Sequence, residues 1–333
     1  MDERIGRRRF VKTGSLVLGA AALSSLTKSA AAAAPEPKSK VLFTRELSSS
    51  GLTNIYDKLM QTRSLSGKVA VKLHSGEPGG HHYPAPSIIK DLVQYVHGTI
   101  VECNTAYPGK RFDTASHKQV MKDHGFTEIA PVDIMDEDGS ISLPFPKGRH
   151  LQENFVGAHL ANYNSFLILS HFKGHAMGGF GGAIKNMSIG IASGEGKVWI
   201  HSAGATRHRD SFASAFQTNQ DDFLESMAEA AGSVINKLGK NNVVYVSLMN
   251  NLSIDCDCDS HPAPPELDDM GILASYDPVA LDRACVDLVY AADEKKSASL
   301  RKRMEEKHAT HTLDYAEQLG LGTQKYNLQV IDG

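Results

Sequence analysis

Residues 165–186 have the sequence SFLILSHFKGHAMGGFGGAIKN, which joins an uninterrupted apolar run to a glycine-rich segment. The run SFLILS is typical of a strand that is buried on both faces of a parallel sheet. His171 follows it directly, and His175 and five glycines come before Lys185. Glycine is favoured where a backbone must turn or approach another group closely. This stretch therefore predicts a strand that leads into a ligand-binding loop at its carboxyl end.

Strand and helix patterns alternate on both sides of this stretch. The predicted strands are KVAVKLH (68–74), TIVEC (99–103) and NVVYVSLM (242–249). Segments such as 87–98 have the apolar spacing of helices, and Asp113 and Asp277 are predicted to be helix N-caps. The alternation predicts an α/β fold, in which parallel-sheet layers carry helices on their faces.

The same patterns predict how the chain is divided. We expect two α/β lobes with a cleft between them, preceded by a signal peptide and a short lead-in. The predicted segments are the signal peptide at 1–34, the lead-in at 35–66, the N-terminal lobe with the glycine loop at 67–210, and the C-terminal lobe with an acidic cysteine loop at 211–333.

Composition excludes several classes of partner. The chain has 333 residues, of which 41% are hydrophobic, and its formal net charge is -3. That length and apolar content suffice for a large buried core. A charge balance near neutrality gives no electrostatic footprint for nucleic acid or for a membrane surface. We therefore expect no nucleic-acid partner.

The amino terminus has the pattern of an export signal. MDERIGRRRFVK is basic, TGSLVLGAAALSSL is apolar, and TKSAAAAAPEP supplies small residues for cleavage. The order from Arg7 to Lys12 resembles the twin-arginine pattern, and a Sec signal or an uncleaved anchor is the alternative. The apolar segment is too short to span a bilayer as a helix, so no stable membrane span is expected after cleavage. This predicts a periplasmic or other extracytoplasmic protein whose partner is the twin-arginine export machinery.

The spacing of the histidines and lysine resembles a known motif. Ten residues separate His175 from Lys185, Gly190 and Ala192 follow, and His201 lies sixteen residues after Lys185. This pattern resembles that of the nickel-pincer lactate racemase family. Over most of its length, from about Lys68 to Ile331, the chain resembles the domain of unknown function 362 family. The segments that carry this second resemblance are VKLHSGEPG, GGFGGAIKN, DCDCDS and GILASYDPVALD.

The racemase resemblance implies a cofactor and roles for individual residues. In that family a lysine amine bonds covalently to a nickel-pincer nucleotide, a histidine completes the square-planar nickel site, and another histidine is the general base. By this resemblance Lys185 is the attachment point, His201 the nickel ligand and His175 the base. The helix start at Gly181 and Gly182 is then expected to hold the nucleotide phosphate.

One base of the racemase pattern has no counterpart here. Racemases have a second histidine after the second strand, where this chain has NTAYPGKRFD with Tyr107. His74 is the best substitute, because it follows the strand KVAVKL and should share the same sheet edge. The other candidates for the second base are Lys72, His81 and His171. The loss of one base favours an epimerase or a one-way hydride transfer over lactate racemisation.

A second unusual segment is DCDCDSH, residues 255–261. Cys256 and Cys258 are predicted metal ligands, and Asp259 and His261 offer further ligand atoms. The segment follows the strand NVVYVSLM, so it should face the glycine loop. An acidic, solvated turn with one buried cysteine is the alternative. The two remaining cysteines, Cys103 and Cys285, are predicted to be inert core residues.

Two functions follow from these motifs. The first is an exported isomerase or oxidoreductase that uses a nickel-pincer nucleotide, or otherwise an unspecified transition metal, on a small hydroxylated substrate. The second is a periplasmic metal-binding or redox-accessory protein without turnover, in which His175 or His201 completes a site with the cysteines. Both require that the glycine loop, His201 and the DCDCDSH segment line one cleft.

Overall fold

Residues 38–332 are the part of the chain that the computed structural model describes, and the predicted signal peptide lies outside it. Its strands are β1 (Ser39–Thr44), β2 (Val69–Lys72), β3 (Thr99–Glu102), β4 (Val132–Ile134), β5 (Ser140–Pro144), β6 (Glu153–Gly157), β7 (Ser165–His171), β8 (Lys173–His175), β9 (Gly179–Gly181), β10 (Val243–Met249), β11 (Gly271–Ser275) and β12 (Tyr326–Val330). Its α-helices are α1 (Ser49–Met60), α2 (Pro86–Tyr95), α3 (Thr114–Asp123), α4 (Ala183–Ser188), α5 (Gly194–His201), α6 (Gln220–Leu238), α7 (Pro278–Ala291), α8 (Glu294–Glu306) and α9 (His311–Gln318).

Eight of the strands within residues 38–332 form one central sheet. Their order is β12, β1, β11, β10, β7, β2, β3 and β4, and neighbouring strands are parallel except at β11. β11 runs antiparallel to both β1 and β10. The predicted α/β class with a mostly parallel sheet and flanking helices is therefore confirmed.

The central strand β7 explains the uninterrupted apolar run in the sequence. Phe166 and Ile168 pack into the core on one face of the sheet, whereas Leu167 and Leu169 pack into the core on the other face. Successive side chains of a strand point to opposite faces, so a strand buried on both faces needs apolar residues at every position. All seven residues of β7 are buried.

Two helix starts that the sequence predicted from N-cap aspartates are present in the structure. Asp113 accepts a hydrogen bond from the Ser116 backbone N–H at the start of α3. Asp277 accepts hydrogen bonds from the N–H groups of Val279 and Ala280 at the start of α7. Both predicted caps are confirmed, since each carboxylate satisfies N–H groups that have no partner within the helix.

The division into two lobes is not confirmed. Strands from both sides of residue 210 belong to the central sheet, and β10 pairs directly with β7. The predicted lead-in also contributes a strand, β1, to the sheet. None of the helices within residues 38–332 combines the length and the apolar character needed to cross a membrane.

Candidate functional site

A cavity of about 710 Å³ lies beyond the carboxyl ends of β2, β3, β7 and β10. Its volume is in the range of pockets that bind cofactors and small molecules. Ten of the residues predicted for the site line it: Lys72, His74, His171, His175, Gly181, Gly182, Lys185, His201, Cys256 and Cys258. The loops that carry them converge because parallel strands present their carboxyl ends at one edge of the sheet.

The glycine loop folds as a small hairpin of β8 and β9, which the sequence patterns did not predict. Its Gly174 allows close contact with the segment that contains the cysteines. The Gly174 N–H donates to the Ser253 carbonyl over 2.8 Å, and a Cβ at this position would collide with the backbone of Ile254. Glycine is therefore needed here to bring the two loops together.

Lys185 extends from α4 into the cavity without a fixed partner. Within residues 38–332, no hydrogen bond or ion pair engages its amine, although His175, His201 and Cys256 are close enough to interact with it electrostatically. An unpaired amine beside a cavity is free to react with or bind a ligand.

The start of α4 is occupied, which does not favour the predicted phosphate site at Gly181 and Gly182. The backbone N–H groups of Ala183 and Ile184 donate to the two carboxylate oxygens of Asp282, over 2.7 and 2.9 Å. A phosphate at this helix start would have to displace that buried carboxylate. Gly181 and Gly182 line the cavity but offer no free helix N-terminus.

His201, on α5, presents one free ring nitrogen to the cavity. Its Nδ1 donates to the Lys197 carbonyl over 2.6 Å, and the ring stacks on Phe223 with a centroid separation of 5.0 Å. Burial lowers the pKa of His201 to about 3, so the ring is neutral at pH 7. The proton is on Nδ1, which leaves the lone pair of Nε2 available, as in histidines that ligate metals.

His175 has the opposite arrangement. Its Nδ1 accepts hydrogen bonds from the N–H groups of Met177 and Gly178, over 3.1 and 3.0 Å. Burial and the nearby Lys185 lower the pKa of His175, so the ring is neutral and its proton is on Nε2. The ring also hydrogen-bonds Cys256, for which only Nε2 is left. The predicted role as general base is not supported, because neither nitrogen has a free lone pair.

The two cysteines lie beside His175, on the side of the cavity formed by the DCDCDSH segment. The Cys258 N–H donates to the Cys256 sulfur over 3.3 Å. Ligand atoms of His175, Cys256 and Cys258 all lie within 4.8 Å of one another. A hydrogen bond from Cys258, and then the proximity of His175 and Lys185, lower the pKa of Cys256 well below its ordinary value.

This grouping changes the predicted metal ligands. Of the two histidines predicted to complete a site with the cysteines, His175 lies with the two sulfurs, whereas His201 is not part of the group. Asp259 and His261 are exposed and absent from the cavity lining, and Asp259 accepts a hydrogen bond from the His261 N–H over 2.8 Å. These two side chains therefore take no part in the grouping.

The residue between the cysteines anchors their loop. Asp257 is buried and its carboxylate contacts His171 Nδ1 at 2.9 Å and Lys173 Nζ at 2.8 Å. Its carbonyl accepts a hydrogen bond from the Glu77 N–H. Asp257 thus fixes the loop to the ends of β7 and β8, while the cysteines on either side of it line the cavity.

The chain belongs to the family described as Domain of unknown function (DUF362). The family model matches residues 69–287, which include every residue of the candidate site. The sequence matches no curated protein.

Two solved structures are similar to this DUF362 chain at low scores. The lactate racemase apoprotein from Thermoanaerobacterium thermosaccharolyticum is 12% identical, with a TM-score of 0.43, and the match covers 74% of this chain and 56% of that one. A structural-genomics protein from Thermotoga maritima is 11% identical, with a TM-score of 0.36, and the match covers 81% and 58%. The chain thus spans somewhat more than half of either structure, and neither likeness decides a function.

The candidates for a second base in this DUF362 member are already engaged. Lys72 Nζ pairs with Glu102 Oε2 at 2.9 Å and also donates to the Leu73 carbonyl. His74 faces the Gly76 N–H at 3.1 Å and Arg111 Nη2 at 3.2 Å. Catalytic roles for Lys72 and His74 are therefore not favoured by their contacts.

The two other candidates also fail to present a free nitrogen to the cavity. Both ring nitrogens of His171 are hydrogen-bonded, to Asp257 and to the Asn250 carbonyl. His81 is exposed and does not line the cavity. Within residues 38–332 the structure thus identifies no histidine that replaces the missing base.

A buried network beside the cavity was missed in the sequence. Arg111 Nε donates to Glu77 at 2.9 Å, Arg111 Nη1 lies 3.4 Å from Glu102, and Tyr107 donates to Glu77 at 2.8 Å. Buried charges are stable only when paired, so this network fixes the loops after β2 and β3. One signal was available: Glu102 is a charged residue inside the apolar strand TIVEC.

Proposed function

We propose that the chain is an exported, cofactor-dependent enzyme that transfers hydride at a hydroxyl-bearing carbon of a small substrate, as a racemase, an epimerase or a related oxidoreductase. In this proposal Lys185 carries a nickel-pincer nucleotide covalently and His201 ligates its nickel. The motif spacing from His175 to His201 suggested this cofactor, and the contacts of Lys185 and His201 support it.

The observation that carries the proposal is that two reactive atoms are left free in one cavity. The Lys185 amine has no fixed partner within the described residues, and the Nε2 lone pair of neutral His201 is unused. A lysine can form a covalent bond to a cofactor only if its amine is not held by another partner. A histidine can bind nickel only if one ring nitrogen has an unused lone pair. The cavity of about 710 Å³ has room for a nucleotide.

The residues around the cofactor position would orient it and limit its exposure to water. When bound, the group would supply a hydride acceptor and donor next to the substrate carbon. Phe223 and Phe212 hold the His201 ring by stacking and edge contact, with Phe212 at a centroid distance of 5.3 Å. The nucleotide phosphate must bind somewhere other than the start of α4, because Asp282 occupies it.

The experiment is to produce the full chain together with cofactor-assembly enzymes and to measure intact mass, the mass of the Lys185 peptide and nickel content. We expect an adduct on Lys185 and stoichiometric nickel in the wild-type protein. Lys185→Arg, which keeps the charge, should lose both. His201→Gln should keep the adduct and lose the nickel. An unmodified Lys185 peptide without nickel would contradict the proposal.

Export is part of the same proposal and rests on the amino-terminal sequence alone. Replacement of Arg7 and Arg8 by Lys should retain the protein in the cytoplasm if the twin-arginine machinery carries it. Unchanged export of that variant would instead indicate a different route.

A second candidate function is favoured by one observation, the grouping of His175, Cys256 and Cys258 within 4.8 Å. Such a group suits a metal-binding or redox-accessory protein without turnover. Elemental analysis separates the two functions. A metal that is lost in Cys256→Ser and Cys258→Ser but kept in Lys185→Ala would favour the second.

A further inference from the structure

The pair of sulfurs has few neighbours that could complete a metal site. Asp255 is directed elsewhere, since its carboxylate accepts a hydrogen bond from the Ala263 N–H over 3.1 Å and lies 3.8 Å from Arg303. Asp259 is exposed and bonded to the His261 N–H. Within residues 38–332, His175 is therefore the one additional side chain with a typical ligand atom close to both sulfurs.

His175 is poorly prepared to be a ligand. A histidine that binds a metal through one nitrogen almost always donates the proton on its other nitrogen to an acceptor. The Nδ1 of His175 instead faces two backbone N–H donors, from Met177 and Gly178, so it cannot hold a proton there. The proton is on Nε2, toward Cys256, where it serves a hydrogen bond to sulfur.

Two lysines and one buried aspartate lie beside the sulfurs. Lys173 and Lys185 line the same cavity, and both lie close enough to interact electrostatically with Cys256. The ion pair of Lys173 with Asp257 keeps that lysine beside the loop. Two thiolates around a monovalent cation form a complex with one net negative charge, which the amine of Lys185 would stabilise, since Asp257 already neutralises Lys173.

We propose that Cys256 and Cys258 bind a soft monovalent cation, copper(I), through their two sulfurs, with His175 as a hydrogen-bond donor to sulfur and not a ligand. Soft thiolates favour copper(I), zinc and iron–sulfur clusters. Zinc takes four ligands in structural sites and three protein ligands in catalytic ones, and a cluster needs about four cysteines, whereas two sulfurs are present here. The proposal rests on the second candidate function and names its ion and ligands. Lys185 is not one of the ligands, although its amine supports the site electrostatically.

The test is anaerobic titration of the full chain with copper(I) against a chromogenic copper(I) chelator, and a parallel titration with zinc(II). We expect one copper(I) site and weaker zinc binding. Cys256→Ser and Cys258→Ser should each lower copper(I) affinity more than about a hundredfold, beyond the range of a residue that only supports a ligand. His175→Gln, which keeps an N–H donor, should lower it by no more than about tenfold. Cys285→Ala, which removes a buried thiol on α7, is the matched control and should leave affinity unchanged.

X-ray absorption of the copper-loaded wild-type protein gives a second readout that needs no variant. We expect two sulfur ligands and no nitrogen ligand. Tighter binding of zinc, or a loss in His175→Gln as large as that in Cys256→Ser, would overturn this inference but leave the second candidate function standing. Failure of the wild-type chain to bind either metal would overturn both.

Discussion

His201 and His175 line the same cavity, but their backbone partners leave them with opposite nitrogens protonated. The Nδ1 of His201 donates to a carbonyl, whereas the Nδ1 of His175 accepts from two N–H groups. His201 is therefore prepared to bind a metal and His175 to donate a hydrogen bond. The comparison shows that sequence spacing can identify a functional histidine, whereas its hydrogen-bond partners decide its chemistry.

The difference extends to the two sides of the cavity. We call Lys185 with His201 the lysine side, and His175 with Cys256 and Cys258 the cysteine side. Each side is held by a buried aspartate: Asp282 binds the start of α4, and Asp257 binds the cysteine loop to His171 and Lys173. A substitution of Asp282 should therefore disturb the lysine side but not the cysteine side, and a substitution of Asp257 should do the reverse.

The largest expected effect is on stability when the anchor of the cysteine side is removed. Asp257→Asn leaves Lys173 buried without its counter-charge, which costs about 3–5 kcal/mol of unfolding free energy. Asp268→Asn breaks the exposed pair with Lys296 and should leave the unfolding free energy nearly unchanged. Denaturant unfolding of both variants at pH 7 measures the difference. Equal losses would mean that Asp257 does not anchor its loop.

Because Asp282 is a buried carboxyl group, we expect the free energy of unfolding to depend on pH. Burial raises the pKa of Asp282 to about 7, despite two backbone N–H groups that favour its charged form. A carboxyl group whose pKa is raised by folding stabilises the fold at low pH, and this contribution is lost as the pH rises from about 4 to about 7. The shift corresponds to up to about 4 kcal/mol.

Asp282→Asn should remove this pH dependence. Wild-type stability should fall between pH 5 and pH 8 more than that of the variant, as measured by denaturant unfolding at both pH values. The reactivity of the thiols on the cysteine side should be unchanged. The same slope in both proteins would show that Asp282 is ionised throughout that range.

A smaller effect is expected from the glycines of the loop. A Cβ on Gly182 would collide with the Asp282 carboxylate, whereas a Cβ on Gly178 would make only ordinary contacts, the nearest at 3.4 Å. Gly182→Ala should therefore destabilise the fold by about 1–3 kcal/mol, and Gly178→Ala by less than about 1 kcal/mol. Thermal unfolding of the pair tests this, and the opposite order would contradict the packing of α4 against Asp282.

Much of the fold could be predicted because its signals are local. The apolar run of β7 and the caps Asp113 and Asp277 are encoded within a few residues of each element. The edge strand β12 was missed because its residues are half-exposed or exposed and its pairing partner β1 is far away in sequence. The reversed direction of β11 was also missed, since a short apolar run does not encode strand direction.

In the candidate site, too, local sequence patterns predicted positions but not contacts between distant residues. The positions of Lys185, His201 and the cysteines around one cavity follow from sheet topology, which the sequence indicated. The occupied helix start could not be predicted, because Asp282 lies almost a hundred residues after Ala183. The protonation of His175 depends on how two backbone N–H groups turn toward its ring, which no residue pattern encodes.

Nitrogen NMR of the histidine side chains tests the central comparison most directly. Long-range proton–nitrogen correlations at pH 7 distinguish the two neutral tautomers, and His175→Gln and His201→Gln assign the signals. We predict that the metal-free protein has His201 protonated at Nδ1 and His175 protonated at Nε2, both neutral. The same tautomer in both rings, or a charged ring at either position, would contradict the division of the cavity into a metal-binding and a hydrogen-bonding side.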